Sequence, residues 1–385
     1  MATTPIFTYT DVLQSMLDWC NVPTTDAVTL RKIKRAIQSA YREFFESRTW
    51  AVMMDRSRIV TQPVYNTGTI AYTNSTRTIT LTGGTFPSWA NLGRIVFGSP
   101  ALEYQVVANP SSTTLTLSVN VNPGADVAAG TAYQLWQDTY PLPVNCQSLG
   151  TLKDAQRNVV LQYMEPNDWV ALRPYNTYPT IPRFYTVTSD PSYLGALCIR
   201  LLPPPDIQYN LDFEYKRMPR QFSVAQNTTG TITSVGTAVT GVGTTFSTNP
   251  NMVGCMIRSA RTSKPPTGLE GTNPYVEQRV VTSVGSATGL TIDQAFSTDI
   301  SSPAAFEISD PIEMESNAMY TAFLRRCEAD LGPVMRRDDV ANLKAIAHEA
   351  WIQACESDSR SMDMKPDGAR YFQRVPTYWT ITNSM

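Results

Sequence analysis

Leu30, Ile33, Ile37, Ala40, Tyr41, Phe44 and Phe45 recur at spacings of three and four through residues 26–50. That spacing puts them on one wide apolar stripe of an α-helix. Arg31, Lys32, Lys34, Arg35, Arg42 and Arg48 fall on its flanks and opposite face. A shorter stripe of Val12, Leu13, Met16, Leu17 and Cys20 predicts a preceding helix, capped by Thr8 or Thr10. The link between them is short enough for an antiparallel helical hairpin.

Helical spacing then disappears until Asp310-Pro311, which reads as an N-cap followed by a first-turn proline. Ile312, Met314, Met319, Ala322, Phe323 and Cys327 face inward, and Gly332-Pro333 reads as the stop. Asp338 or Asp339 caps a last helix running to about Glu356, with Leu343, Ile346, Ala347, Trp351 and Ala354 on its inner face.

Everything between has a period of two. Residues 57–138 are short Thr/Val/Leu/Tyr runs broken by Asn, Gly and Pro, and residues 224–310 read the same way. The two stretches match in order. Gly68-Thr69-Ile70 answers Gly230-Thr231-Ile232, and Leu92-Gly93-Arg94-Ile95 answers Val253-Gly254-Cys255-Met256. Thr114-Leu115-Thr116-Leu117 answers Gly289-Leu290-Thr291-Ile292, and Ala132-Tyr133-Gln134-Leu135 answers Ala305-Phe306-Glu307-Ile308. Retained order across several blocks points to an internal repeat, each copy sized for a small barrel or sandwich. Between them, residues 140–223 form a third β-rich segment with one short helix near Glu165–Leu172.

The expected fold is therefore an α+β multidomain chain, in which terminal helices form a split bundle around three β-rich insertions. Its expected parts are a helical hairpin over 1–56, β modules over 57–139 and 224–310, and a central segment over 140–223. Helices over 311–357 and an extended arm over 358–385 complete it. A lone hairpin of this length cannot bury its stripe, so the two hairpins are expected to pack on one another.

Composition narrows the function. Charged residues make up 17% of the 385, well below a typical quarter, and the formal net charge is −2. A dedicated nucleic-acid binder carries a strongly basic balance. The six cysteines are scattered without a C-x-x-C pair, which reads as reduced thiols. The opening MATTPIFTYT lacks the basic start and apolar core of a signal peptide, and no apolar run is long enough to span a membrane.

Catalytic signatures are poor. The single histidine, His348, sits in a predicted helix beside Glu349 and reads as a surface or groove residue. One histidine is too few for a His-rich zinc site. No G-x-S-x-G elbow or phosphate loop occurs, and Gly241-Val242-Gly243 reads as a turn rather than a dinucleotide fingerprint. The chain is expected to be non-enzymatic and to need no cofactor or metal.

Binding features remain. The basic face carrying Arg31, Lys32, Lys34, Arg35 and Arg42 is a candidate contact to another subunit or to the phosphate backbone of DNA. Arg370, Tyr371, Phe372, Arg374, Tyr378 and Trp379 are candidate anchors near the C-terminus, since aromatic and Arg side chains carry much of the energy of interfaces.

With the helices placed, the chain resembles the head-to-tail connector proteins of tailed bacteriophages, adaptors that dock beneath the portal ring. The likeness rests on the opening hairpin TYTDVLQSMLDW…LRKIKRAIQSAYREFFESRTW and on the closing helices with a C-terminal arm. GTITSVGTAVTGVGTTFSTNPNMVGCMIR and PRFYTVTSD…IRLLPPPDIQYNLDFEYKRMP also resemble segments of phage virion proteins. Many adaptors are much smaller, and the β insertions depart from the minimal form.

The resemblance implies a structural virion protein, assembled in the host cytoplasm, that forms a dodecameric ring continuing the DNA channel. Its implied partners are the portal protein, tail, nozzle or fibre proteins and copies of itself, with transient passage of DNA and no membrane. The alternative is a tail- or fibre-associated carbohydrate-binding protein, which would display exposed aromatic clusters on the β repeats.

Overall fold

Two local devices start the helices where the sequence places them. The Thr8 amide donates to Asp11 Oδ2 at 2.8 Å, which opens α1 (Tyr9–Cys20). The Asp26 carboxylate accepts from the amides of Val28 and Thr29 at 3.0 and 3.2 Å, which opens α2 (Ala27–Glu46). The computed structural model describes residues 7–21, 26–98, 102–172, 178–248, 250–259, 277–314 and 316–363. The chain divides into two compact units. One is Met53–Met218, and the other joins Met1–Val52 to Pro219–Met385.

The Met53–Met218 unit begins with β1 (Met54–Val60). Next come β2 (Thr69–Thr73), β3 (Thr78–Thr82), β4 (Arg94–Phe97), β5 (Leu102–Ser111), β6 (Thr114–Leu117), β7 (Val127–Thr131) and β8 (Tyr133–Trp136). These seven form one curved sheet in the order β7-β2-β3-β6-β5-β4-β8. Alternation supplies its core: in β3, Ile79 and Leu81 point inward while Thr80 and Thr82 face out.

The same unit continues with β9 (Thr139–Pro141), β10 (Cys146–Asp154), β11 (Val159–Val160), β12 (Gln162–Tyr163) and α3 (Pro166–Leu172). It ends with β13 (Phe184–Ser189), β14 (Leu197–Leu202) and β15 (Asn210–Arg217). Two four-stranded sheets result, β1-β15-β10-β11 and β12-β13-β14-β9, with Leu152, Ile199, Leu201, Leu211 and Phe213 in their core. Strand β1 pairs along its whole length with β15, Met54 against Lys216 through Val60 against Asn210.

The other unit has six strands: β16 (Thr231–Val235), β17 (Ala238–Val242), β18 (Met256–Ser259), β19 (Glu277–Val284), β20 (Gly289–Ile292) and β21 (Phe306–Ser309). Their order, β16-β17-β20-β19-β18-β21, repeats β2-β3-β6-β5-β4-β8 strand for strand. Even the isolated bridges correspond, Tyr65 with Leu135 in one sheet and Asn227 with Ile308 in the other. Each sheet is a half-barrel, and the seven-stranded one adds β7 at its edge.

The helices α4 (Asn317–Val334) and α5 (Val340–Asp363) close the chain and pack extensively on each other. Tyr41 and Phe44 of α2 meet Phe323 of α4 with ring centroids 5.7 and 6.4 Å apart. Trp50 seals the far end of α2, stacking on Phe44 at 4.7 Å and donating its indole N–H to the Phe44 carbonyl at 2.9 Å. On the α1 side, Trp19 packs against Ala329, Leu343 and Ala347, and the Arg337 guanidinium lies over the Trp19 ring. The terminal helices thus bury their stripes against one another, as two short hairpins must.

Three local expectations change. Asp310 does not cap α4. Its buried carboxylate binds Arg220 Nε at 2.9 Å and accepts from the amides of Ser223 and Val224, while Ser316 Oγ caps the helix by accepting from the Met319 amide. Ile312 is accordingly buried, but ahead of the helix. Gly332-Pro333 does not stop α4 either. The left-handed residue is Arg336 (φ 55°), and the Arg336 and Arg337 amides close a Schellman turn onto the Pro333 and Gly332 carbonyls. Finally, α5 runs on to Asp363, past the expected end near Glu356.

Candidate interaction surfaces

The helix α2 presents two opposed faces. Ile33, Ile37, Ala40, Tyr41, Phe44 and Phe45 are buried, whereas Arg31, Lys32, Arg35 and Arg42 are exposed and Lys34 is half-buried. At 100° per residue, Arg31, Arg35 and Arg42 lie within about 40° of one another on the outward side. Among the described residues, no salt bridge engages any of these five cations. Asp11, Glu43 and Asp358 pair elsewhere, with Arg258, Arg326 and Arg48.

A groove of about 650 Å³ opens beside this helix, between α2, α4 and α5. Phe44, Ala322, Ala329 and Ala347 give it an apolar floor, and Trp351 and His348 stand on one wall. Glu43, Arg326, Asp330 and Lys344 rim it, with Arg326 bridging to both Glu43 and Asp330. His348, the only histidine, is exposed and stacks on Trp351 with centroids 6.2 Å apart. It faces this helical groove.

One buried polar node holds α1 to the six-stranded sheet, and a second braces the segments beside that sheet. Arg258 of β18 is 1% exposed, and its guanidinium grips Asp11 of α1 with bonds of 2.8 and 2.7 Å. Glu307 of β21 lies 3.9 Å from that guanidinium, and burial raises its carboxyl above the ordinary glutamate range. In the second node Arg220 donates to Asp310 and to the carbonyls of Asn251 and Val253. Cys255 sits within it, 3.4 Å from Asp310, and burial raises its thiol to about 12. Sequence reading passed over Arg220 and Arg258. Each finds its partner some 90 or 250 positions away, and no local pattern announces that.

Arg370, Tyr371, Phe372, Arg374, Tyr378 and Trp379 lie outside the described residues. Among the described residues, no group of three or more His, Cys, Asp or Glu side chains is arranged to hold a metal, and none of the six cysteines is in a disulfide. No described helix is long and apolar enough to cross a membrane. Compared with family models and with characterised proteins, the chain matches no family model and no characterised relative.

Proposed function

We propose that this chain is the subunit of a structural ring in a tailed-phage virion, joining the portal to the tail and continuing the DNA channel. The observation that carries the reading is the split bundle. Helices at the two ends of the chain pack together, and the repeated half-barrels are inserted in the sequence between them. Such a body can keep a ring's wall constant while its insertions meet different neighbours. The exposed, unbridged cations of α2 supply a polar surface suited to contact between subunits. The residues after α5 include Tyr371, Phe372, Tyr378 and Trp379, side chains of the kind that carry interface energy, and would meet the portal.

The carbohydrate-binding alternative gains little support. Of the aromatics along the repeats, Tyr72, Tyr104, Trp136 and Phe306 are buried at 6% exposure or less and serve as core, Trp89 is half-buried, and Tyr275 lies outside the described residues. Removing residues 367–385 tests the portal contact. The truncated subunit should keep its helical circular dichroism and lose binding to purified portal rings. Unchanged portal binding would refute the assignment of the arm.

A further inference from the structure

We infer that the basic outer face of α2 in one subunit docks on the outer face of α5 in a second copy of this chain, making the head-to-tail contact that closes the ring. The inference rests on the ring reading above and names the surfaces that contact uses.

The arrangement of the bundle separates the two faces. Helices α2 and α5 each pack against α4, α2 through Tyr41 and Phe44 and α5 through Leu343 and Ala347. Their outward faces are therefore turned away from the shared helix, and the two faces are different surfaces of the subunit. A contact between unlike faces is heterologous, and it closes into a ring when the rotation between copies is right.

Charge distinguishes the faces. On α2 the outward stripe carries Arg31, Arg35 and Arg42, all exposed, with Glu46 following them in the last turn. The outward side of α5 carries Glu349 and Glu356, both exposed, among Ala345 and the 42%-exposed Ile352. Arg35 and Arg42 are seven residues apart, and so are Glu349 and Glu356. Both pairs thus span about 10.5 Å along their axes and can register carboxylate to guanidinium at two points. Ala345 and Ile352 have the same seven-residue spacing and offer a small apolar seam between the charges. Cations facing carboxylates fix register and orientation, and like charges in the same place exclude the wrong pairing.

The test uses full-length chains and two doubly reversed variants, Arg35→Glu with Arg42→Glu and Glu349→Arg with Glu356→Arg. All four positions are solvent-exposed, so both variants should keep wild-type circular dichroism and unfolding midpoints. Native mass spectrometry should find rings for the wild type. Each variant alone should assemble roughly a hundred-fold more weakly. An equal mixture should restore rings with the two variants in equal numbers, because acidic α2 then meets basic α5 and the reverse. Rings that form equally well from each variant alone would overturn this interface and leave the ring reading standing. Failure of the mixture to reassemble would likewise overturn the pairing of these faces. A wild type that stays monomeric at all concentrations would overturn the ring reading and this contact with it. Binding of duplex DNA that is lost with Arg35 and Arg42, while assembly persists, would reassign the stripe to the nucleic acid.

Discussion

Asp11→Ala should be among the most destabilising single changes in the Met1–Val52 and Pro219–Met385 unit. Asp11 is 8% exposed at its side chain and Arg258 1%, and the two share bonds of 2.7 and 2.8 Å. Truncating the carboxylate removes both of those bonds from a guanidinium that stays buried. Breaking a buried pair from one side costs about 3–5 kcal/mol. The Thr8 amide also loses its acceptor, adding about 1 kcal/mol of lost capping. For a unit of roughly 200 residues this lowers the melting temperature by about 10 °C or more.

Urea titration followed by circular dichroism at 222 nm reads it, since the long helices all lie in that unit. Arg258→Met made together with Asp11→Ala should recover about 2 kcal/mol or more, because the buried guanidinium is then gone and Glu307, whose carboxyl burial already raises, can stay protonated. A cost near 1 kcal/mol for Asp11→Ala, with no coupling to Arg258, would refute the reasoning. It would mean that Asp11 is only a helix cap and does not tie α1 to the sheet.

The duplicated half-barrels give a paired prediction. Gly68 (φ +81°) and Gly230 (φ +91°) hold equivalent places, and an added Cβ would sit 2.3 Å from the Thr82 carbonyl oxygen and 2.4 Å from that of Val242. Alanine at either should cost about 2 kcal/mol or more, and Gly130→Ala, at φ +90° with open space around it, distinctly less. Unfolding midpoints of the three variants check the ranking. Glu307 sets a pH dependence: its folded carboxyl titrates above its unfolded value, so its contribution is fully present below that unfolded value. The contribution is lost as pH rises through the raised folded value. Glu307→Gln should flatten that fall in unfolding midpoints measured from about pH 4 to pH 8. A thiol reagent on the native protein should reach the half-buried Cys20 and Cys355 first and leave Cys146, Cys198, Cys255 and Cys327 protected until urea is added. Rapid native labelling of the fully buried Cys327 would contradict the packing of α4.

The parts of the fold legible in the sequence are those fixed by near neighbours. The buried residues of α2 from Ile33 to Phe45 are the ones its spacing marks, because a helical stripe records its own burial. The matched blocks of the repeat foretell a shared architecture, and the shared strand order follows from it. What stayed hidden depends on distant partners. Asp310-Pro311 carries a sound local cap signal, yet Arg220 and two amides claim that carboxylate and the helix waits for Ser316. Met256–Ser259 gives no sign that Arg258 is as buried as its neighbours, because its partner Asp11 lies in another element. Strand β1 follows the helices in sequence, yet it pairs with β15 over 150 residues onward. Of the candidate surfaces, the α2 stripe could be read directly. The groove that includes His348 and Trp351 could not, since it exists only once α2, α4 and α5 are brought together.

Imaging the full-length protein by cryo-electron microscopy, alone and mixed with purified portal rings, bears most directly on the proposed role. Closed rings that stack coaxially on the portal, with an open channel through both, are the expected result. Monomers that ignore the portal and bind glycans would contradict it.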